Sequence, residues 1–176
     1  VPLALTTFAD EAYLYVVFKA RIVADFEQML DGVGALGEAD AAFYAASLLS
    51  GIAHLHGEGY ACRNISPDAL MLNAAGQLQL LDLRYAIKLD GPEPTDTCGS
   101  AHFFAPEQVK QVGHGKPVDF WALGVLLFQM ITGGVPWIAE GEDPDKVSEL
   151  ELYSRITSHR LGQLARPQGT SEEFGD

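Results

Sequence analysis

Cys62-Arg63-Asn64-Ile65-Ser66-Pro67-Asp68-Ala69 is the stretch on which the reading of this chain turns. Upstream of it, Glu38 to about Glu58 predicts the longest helix of the sequence. Phe43, Ala46, Leu49 and Ile52 make one apolar row there, Leu48 and Leu55 widen it, and Gly57 and Gly59 end it. Downstream, Ala69–Leu72 and Leu78–Leu81 predict two short strands joined by a turn at Asn73-Ala74-Ala75-Gly76. Asp82-Leu83-Arg84 follows directly, and Ala105-Pro106-Glu107 comes later. The stretch is thus a loop held between a helix and a hairpin.

Further outward the pattern continues. Residues 3–9 and 13–18 are rich in β-branched and aromatic side chains and are separated by Asp10-Glu11-Ala12, which predicts an N-terminal hairpin. Two strands alone are marginal in water, so this hairpin calls for strands beside it. Residues 22–31 predict a short amphipathic helix stopped by Gly32 and Gly34. Residues 90–101 lack periodicity and predict a loop. Trp121 to Ile131 is apolar on nearly every face and predicts a buried helix, stopped by Gly133-Gly134. An acidic loop over 139–149, a helix over 150–160 and a polar tail over 167–176, expected to be disordered, complete the chain.

The composition fits one domain with a sizeable core: 176 residues, 48 % of them apolar. Eleven Lys and Arg against 24 Asp and Glu leave a net charge of −13. That charge disfavours nucleic acid and anionic membrane surfaces as partners. Cys62 and Cys98 make no disulfide framework and fit a reducing, cytoplasmic compartment. No apolar run reaches membrane-spanning length.

Several quoted motifs carry a resemblance. Arg63 to Ala69, Asp82-Leu83-Arg84 and Ala105-Pro106-Glu107 resemble, in order and spacing, the catalytic loop, metal-binding loop and Ala-Pro-Glu signature of protein kinases. Phe43-Tyr44-Ala45-Ala46, His54-Leu55-His56, Thr97-Cys98-Gly99-Ser100 and Val118 to Val125 resemble the cyclic-nucleotide-dependent Ser/Thr kinases most closely. The resemblance runs from Leu14 to Leu161. It implies an α+β, mainly α fold: residues 1–21 end the small lobe and form the hinge, and 22–166 form the large lobe. The Gly-rich phosphate loop, its strand Lys and the helix Glu would precede Val1.

The same resemblance exposes departures. Asn64 stands at the catalytic-base Asp, and a carboxamide is not basic. Ser66 stands at the phosphate-contacting Lys, Ala69 at the metal-binding Asn, and Arg84 at the glycine after the metal-binding Asp. Asp82 keeps the carboxylate for a metal, the alternative being a solvated or capping carboxylate. The Arg84 guanidinium is one candidate for the metal's charge niche. Phe18, Lys19 and Arg21 fall at the gatekeeper and hinge, with Met71 and Leu81 on the nucleotide floor.

For regulation, Arg63 keeps the Arg that pairs with a phosphorylated Thr in the family, and Asp96 falls where that Thr would be, a permanent carboxylate in place of phosphate. Ser100 keeps a hydroxyl where the family has Thr. Asp119 is expected to hydrogen-bond the backbone of residues 62–64, and Glu107, structural in the family, is expected to lack the Arg that pairs with it there. His54 and His56 fall on different helix faces, which argues against a metal pair. Cys62 is expected to be buried and inert.

Three functions stay open: a pseudokinase acting as a binding or allosteric module, an ATP- and Mg-dependent Ser/Thr kinase with a slow, atypical site, or a truncated product without independent function. The first implies protein partners, among them an active kinase or its substrates. ATP and Mg are expected to bind weakly.

Overall fold

The computed structural model describes residues 2–19, 21–139, 141–158 and 170–171. Strands β1 (Ala4–Ala9) and β2 (Leu14–Phe18) pair antiparallel and form a sheet of their own. Asp10 shapes the turn by accepting from the N–H groups of Ala12 and Tyr13, 2.8 Å each. Leu3, Leu5, Phe8, Tyr13 and Leu14 are all exposed on this hairpin.

Residues 22–31 are not one helix. Ile22–Asp25 is strand β3, and α1 (Phe26–Val33) starts only after it. The β-branched Ile22 and Val23 favour extended backbone. Asp25 sets the boundary: it is itself extended, and its carboxylate accepts from the Gln28 N–H at 3.1 Å, satisfying one orphan donor of the first turn. Helix α2 (Glu38–Gly57) follows, then β4 (Tyr60–Ala61), β5 (Leu70–Asn73), β6 (Leu78–Leu80) and β7 (Ile87–Lys88). Strands β3, β5 and β6 make one antiparallel sheet in that order, while β4 pairs with β7.

The buried side of α2 also differs from the predicted row. Phe43 and Leu49 are exposed; Ala41, Leu48, Ile52 and Leu55 are buried, with Ala45 packed against the core. Positions 41, 45, 48, 52 and 55 follow a 3.6-residue period with smaller side chains, so side-chain bulk alone points to the wrong stripe. Phe43 instead lines an open groove of about 610 Å³ between α2 and residues 77–80.

Helices α3 (Pro106–Val109), α4 (Pro117–Thr132) and α5 (Glu149–Ser158) complete the lobe. α4 begins one turn before the predicted Trp121, with Pro117 at a first-turn position where a missing N–H costs nothing. It ends on Gly133, left-handed at φ +77°, whose N–H bonds the Gln129 carbonyl at 2.8 Å. Phe26, Leu48, Ile52, Ile65, Leu70, Leu126, Met130 and Ile156 form the centre of the core, so the 62–69 loop is anchored by its own Ile65. Residues 159 and 160 of the last predicted helix, and the 166/167 boundary, lie outside the described residues. Of the predicted tail, Ser171 is described: its N–H and hydroxyl both donate to Glu38, at 2.7 and 2.5 Å. Among the described residues no helix is long and apolar enough to cross a membrane.

Candidate functional site

The loop over 62–69 is held from behind. Asp119, in the first turn of α4 and 1 % exposed, accepts from the backbone N–H groups of Cys62 and Arg63 at 2.8 Å each. Its Oδ2 also pairs with His56 Nε2 at 2.7 Å. Three partners on one buried carboxylate satisfy most of its acceptor capacity, as burial of a charge requires. The brace takes in Cys62 and Arg63, two of the three residues expected. The His56 contact goes beyond the sequence reading, in which His56 figures in the His54-Leu55-His56 motif and in a metal pair that the helix faces argue against.

Arg63 adopts φ +61°, a left-handed conformation rare outside glycine. Its neighbours hold it there. Nε donates to the Tyr85 carbonyl at 3.0 Å, and a terminal nitrogen donates to Asp96 Oδ1 at 2.8 Å. The Arg63 side chain is 7 % exposed and the Asp96 side chain 63 %. The guanidinium bond holds the Asp96 carboxyl below its ordinary value. Arg63 therefore ties the loop to two points of the segment between Asp82 and Pro106.

That segment covers the loop closely. Gly99, at φ +99°, lies so near that a β-carbon there would sit 2.9 Å from both the Arg63 carbonyl oxygen and Asn64 Oδ1. Only glycine fits, by backbone conformation and by space. The Ser100 hydroxyl bonds the Ser66 hydroxyl at 3.2 Å and Asp68 Oδ1 at 3.1 Å. Thr97 donates to the Gln108 carbonyl at 3.1 Å, and the Gln108 side chain accepts from the Ala105 N–H at 3.0 Å. Glu107 is half-buried in the first turn of α3.

Three of the singled-out residues, Asn64, Asp82 and Arg84, meet at what the resemblance makes the reaction edge. Asn64, 5 % exposed, donates from Nδ2 to Asp82 Oδ2 at 3.3 Å. Asp82 Oδ1 accepts from Arg84 Nε at 2.8 Å and from the Arg84 N–H at 3.2 Å. This bond raises the Arg84 pKa further. Ala69 is buried and brings no side-chain oxygen. The residues expected at the gatekeeper, hinge and nucleotide floor lie on separate elements. Phe18 ends β2, and the Lys19 N–H bonds the Leu3 carbonyl at 2.7 Å, so both belong to the N-terminal hairpin. Arg21 instead joins the β5–β6 turn, its carbonyl accepting from the Ala74 N–H at 3.1 Å. Met71 and Leu81 are half-buried on and after the β5–β6 hairpin. Cys62 is fully buried, and burial pushes its thiol up to about 12, far from a thiolate nucleophile.

A loop braced by a buried Asp, a covering segment and an Ala-Pro-Glu start to α3 define a class. The family model described as "Protein kinase domain" matches residues 4–175, and the chain belongs to that family. Relatives include "Ribosomal protein S6 kinase beta" of Caenorhabditis elegans, 34 % identical over 87 % of this chain and 28 % of that protein. "cGMP-dependent protein kinase 2" of Homo sapiens is 33 % identical over 74 % of this chain and 17 % of its own length. "cAMP-dependent protein kinase catalytic subunit 3" of Drosophila melanogaster is 34 % identical over 86 % of this chain and 25 % of that protein. The chain thus spans 17–28 % of these relatives' length.

Proposed function

We propose that this protein-kinase-family chain is a pseudokinase module, acting by binding or allosterically regulating protein partners and not by transferring phosphate. The observation that carries the reading is the state of Asn64. A carboxamide accepts no proton at physiological pH. Its Nδ2 is engaged by Asp82 and its Oδ1 faces Gly99. Loss of a positioned base costs roughly 10²–10⁴-fold in rate. Ser66 in place of a cation and Ala69 in place of a metal ligand remove further transition-state stabilisation, each on the order of 3 kcal/mol for a lost electrostatic donor.

The Mg²⁺ implied by the family does not fit this donor set, since Ala69 has no side-chain oxygen and both oxygens of Asp82 are engaged. ATP binding is accordingly expected to be weak and barely metal-dependent. In this reading the Arg63–Asp96 pair keeps the segment over the loop ordered as a surface for partners, an active kinase or its substrates. Residues 1–21 and 22–166 act as small-lobe remnant and large lobe. The test is phosphate transfer from labelled ATP to a generic protein substrate by the full protein, beside Asp82→Ala. Equal background from both supports the reading. Turnover abolished by Asp82→Ala overturns it in favour of an atypical active kinase.

A further inference from the structure

The disagreement between the Asp82 site and a divalent cation has a specific physical form. Mg²⁺ demands six oxygens in near-octahedral order at about 2.0–2.1 Å. Asp82 Oδ1 already carries two donors from one residue: Arg84 Nε at 2.8 Å and the Arg84 N–H at 3.2 Å. Oδ2 takes the amide of Asn64 at 3.3 Å. The Asp82 side chain is 22 % exposed and that of Arg84 is 69 % exposed, so the guanidinium is the more solvent-exposed of the two partners. Among the described residues no group of three His, Cys, Asp or Glu could hold a metal ion.

We propose that Arg84 is a built-in counter-ion that occupies the cation's place on Asp82 and keeps divalent metal out. The carboxylate needs neutralising wherever it is partly buried. A metal does so only when present, whereas a guanidinium two residues along the chain does so always. The backbone N–H of the same residue fixes the geometry, so the pair closes a two-residue ring. This inference deepens the proposed function and rests on its placement of Asp82 at the reaction edge.

The experiment is direct titration of the full protein with Mn²⁺, free ion being read by electron paramagnetic resonance. Five forms are compared: unmodified, Asp82→Ala, Arg84→Gly, Arg84→Gln, and Arg84→Gly/Asp82→Ala. Removing a positive charge about 4 Å from the site strengthens cation binding by about tenfold in a solvent-exposed setting. The unmodified protein should bind Mn²⁺ no better than Asp82→Ala. Arg84→Gly should bind about tenfold tighter, and the double variant should lose the gain. Arg84→Gln, which keeps side-chain length without charge, should move in the same direction as Arg84→Gly. Tight binding by the unmodified protein that Asp82→Ala removes overturns the proposal. So does an unchanged affinity in both Arg84 variants whose thermal melts match the unmodified protein. Phosphate transfer separates the two readings: Mn²⁺ held at Asp82 without transfer sinks only the counter-ion. Transfer lost in Asp82→Ala, with Mn²⁺ affinity rising in Arg84→Gly, sinks only the pseudokinase.

Discussion

Asp119, His56 and the backbone of Cys62 and Arg63 form one side of the 62–69 loop; Asn64, Ser66, Ala69 and Asp82 with Arg84 form the other. On the first side a single buried carboxylate receives three partners at 2.7–2.8 Å, and a left-handed arginine is held at two points. On the second, the Asn64 amide, the Ser66 hydroxyl and both Asp82 oxygens are turned onto neighbours in the chain itself. The framework that shapes a kinase loop and the groups that use it are therefore separable. In the pseudokinase reading proposed above, the fold keeps the former, since stability depends on it, while side chains that satisfy one another stand in for the latter.

The contrast breaks most sharply at Asp119. Asp119→Ala leaves two backbone N–H groups and a largely buried imidazole without their acceptor. Removing one member of such a buried charged network costs about 3–5 kcal/mol. Chemical denaturation of the unmodified and variant proteins measures it. A loss below about 1 kcal/mol, the scale of a single ordinary hydrogen bond, would mean that the framework side is no more constrained than the reaction side.

Next in size is a restored base. Asn64→Asp sets a second carboxylate against Asp82 Oδ2, where the native amide stands at 3.3 Å, and so replaces a donor with a like charge. One carboxyl of such a pair is held protonated to a higher pH than it would be alone. A tenfold change in proton affinity is worth about 1.4 kcal/mol, so a loss of about 1–3 kcal/mol is expected at neutral pH. The folded pKa then lies above the unfolded one. The penalty is thus full above the folded value and vanishes below the unfolded value near 4. Urea midpoints measured at neutral pH and near pH ~4 should converge on the unmodified protein only at the lower pH. Because catalytic groups act as a unit, this variant alone should transfer no phosphate; Asn64→Asp/Ser66→Lys/Ala69→Asn is the minimum set to assay.

What the sequence makes legible divides along the same line. The loop, the α2 and α4 helices and the β5–β6 hairpin all rest on residue identity and spacing, which the sequence displays. The strand Ile22–Asp25 stays hidden because so short a run carries too little periodicity to tell strand from helix, and its pairing with Leu72 and Asn73 is non-local. The His56–Asp119 bond spans 63 residues, and the Gly99 approach to Asn64 depends on tertiary folding. Neither leaves a local signal. The Arg84–Asp82 bond is local, and its two-residue spacing makes it readable as a candidate.

Asp96→Ala should cost less, about 1 kcal/mol, since the carboxylate is mostly in solvent while Arg63 keeps its bond to the Tyr85 carbonyl. Arg63 holds the Asp96 pKa down, so this contribution is present above the unfolded carboxylate value and fades as pH falls through the folded value. Limited proteolysis should show faster cleavage between residues 85 and 100 in the variant at neutral pH, and no difference between the two proteins at the acid end. Equal cleavage at both pH values would remove Asp96 as a latch on the loop.

The smallest expected effect lies farthest from the loop. The β1–β2 hairpin has no third strand among the described residues, and its Leu3, Leu5, Phe8, Tyr13 and Leu14 face solvent. A lone hairpin is marginal in water and adds little to a core it does not join. Removing residues 1–19 should therefore change the stability of the remaining lobe by less than about 0.5 kcal/mol, the range of surface changes. It should also lower binding of an apolar dye, because a contiguous apolar patch leaves with the hairpin. A Tm drop of several degrees on truncation would mean that the hairpin is part of the framework and that the boundary between retained and dispensable structure is drawn in the wrong place.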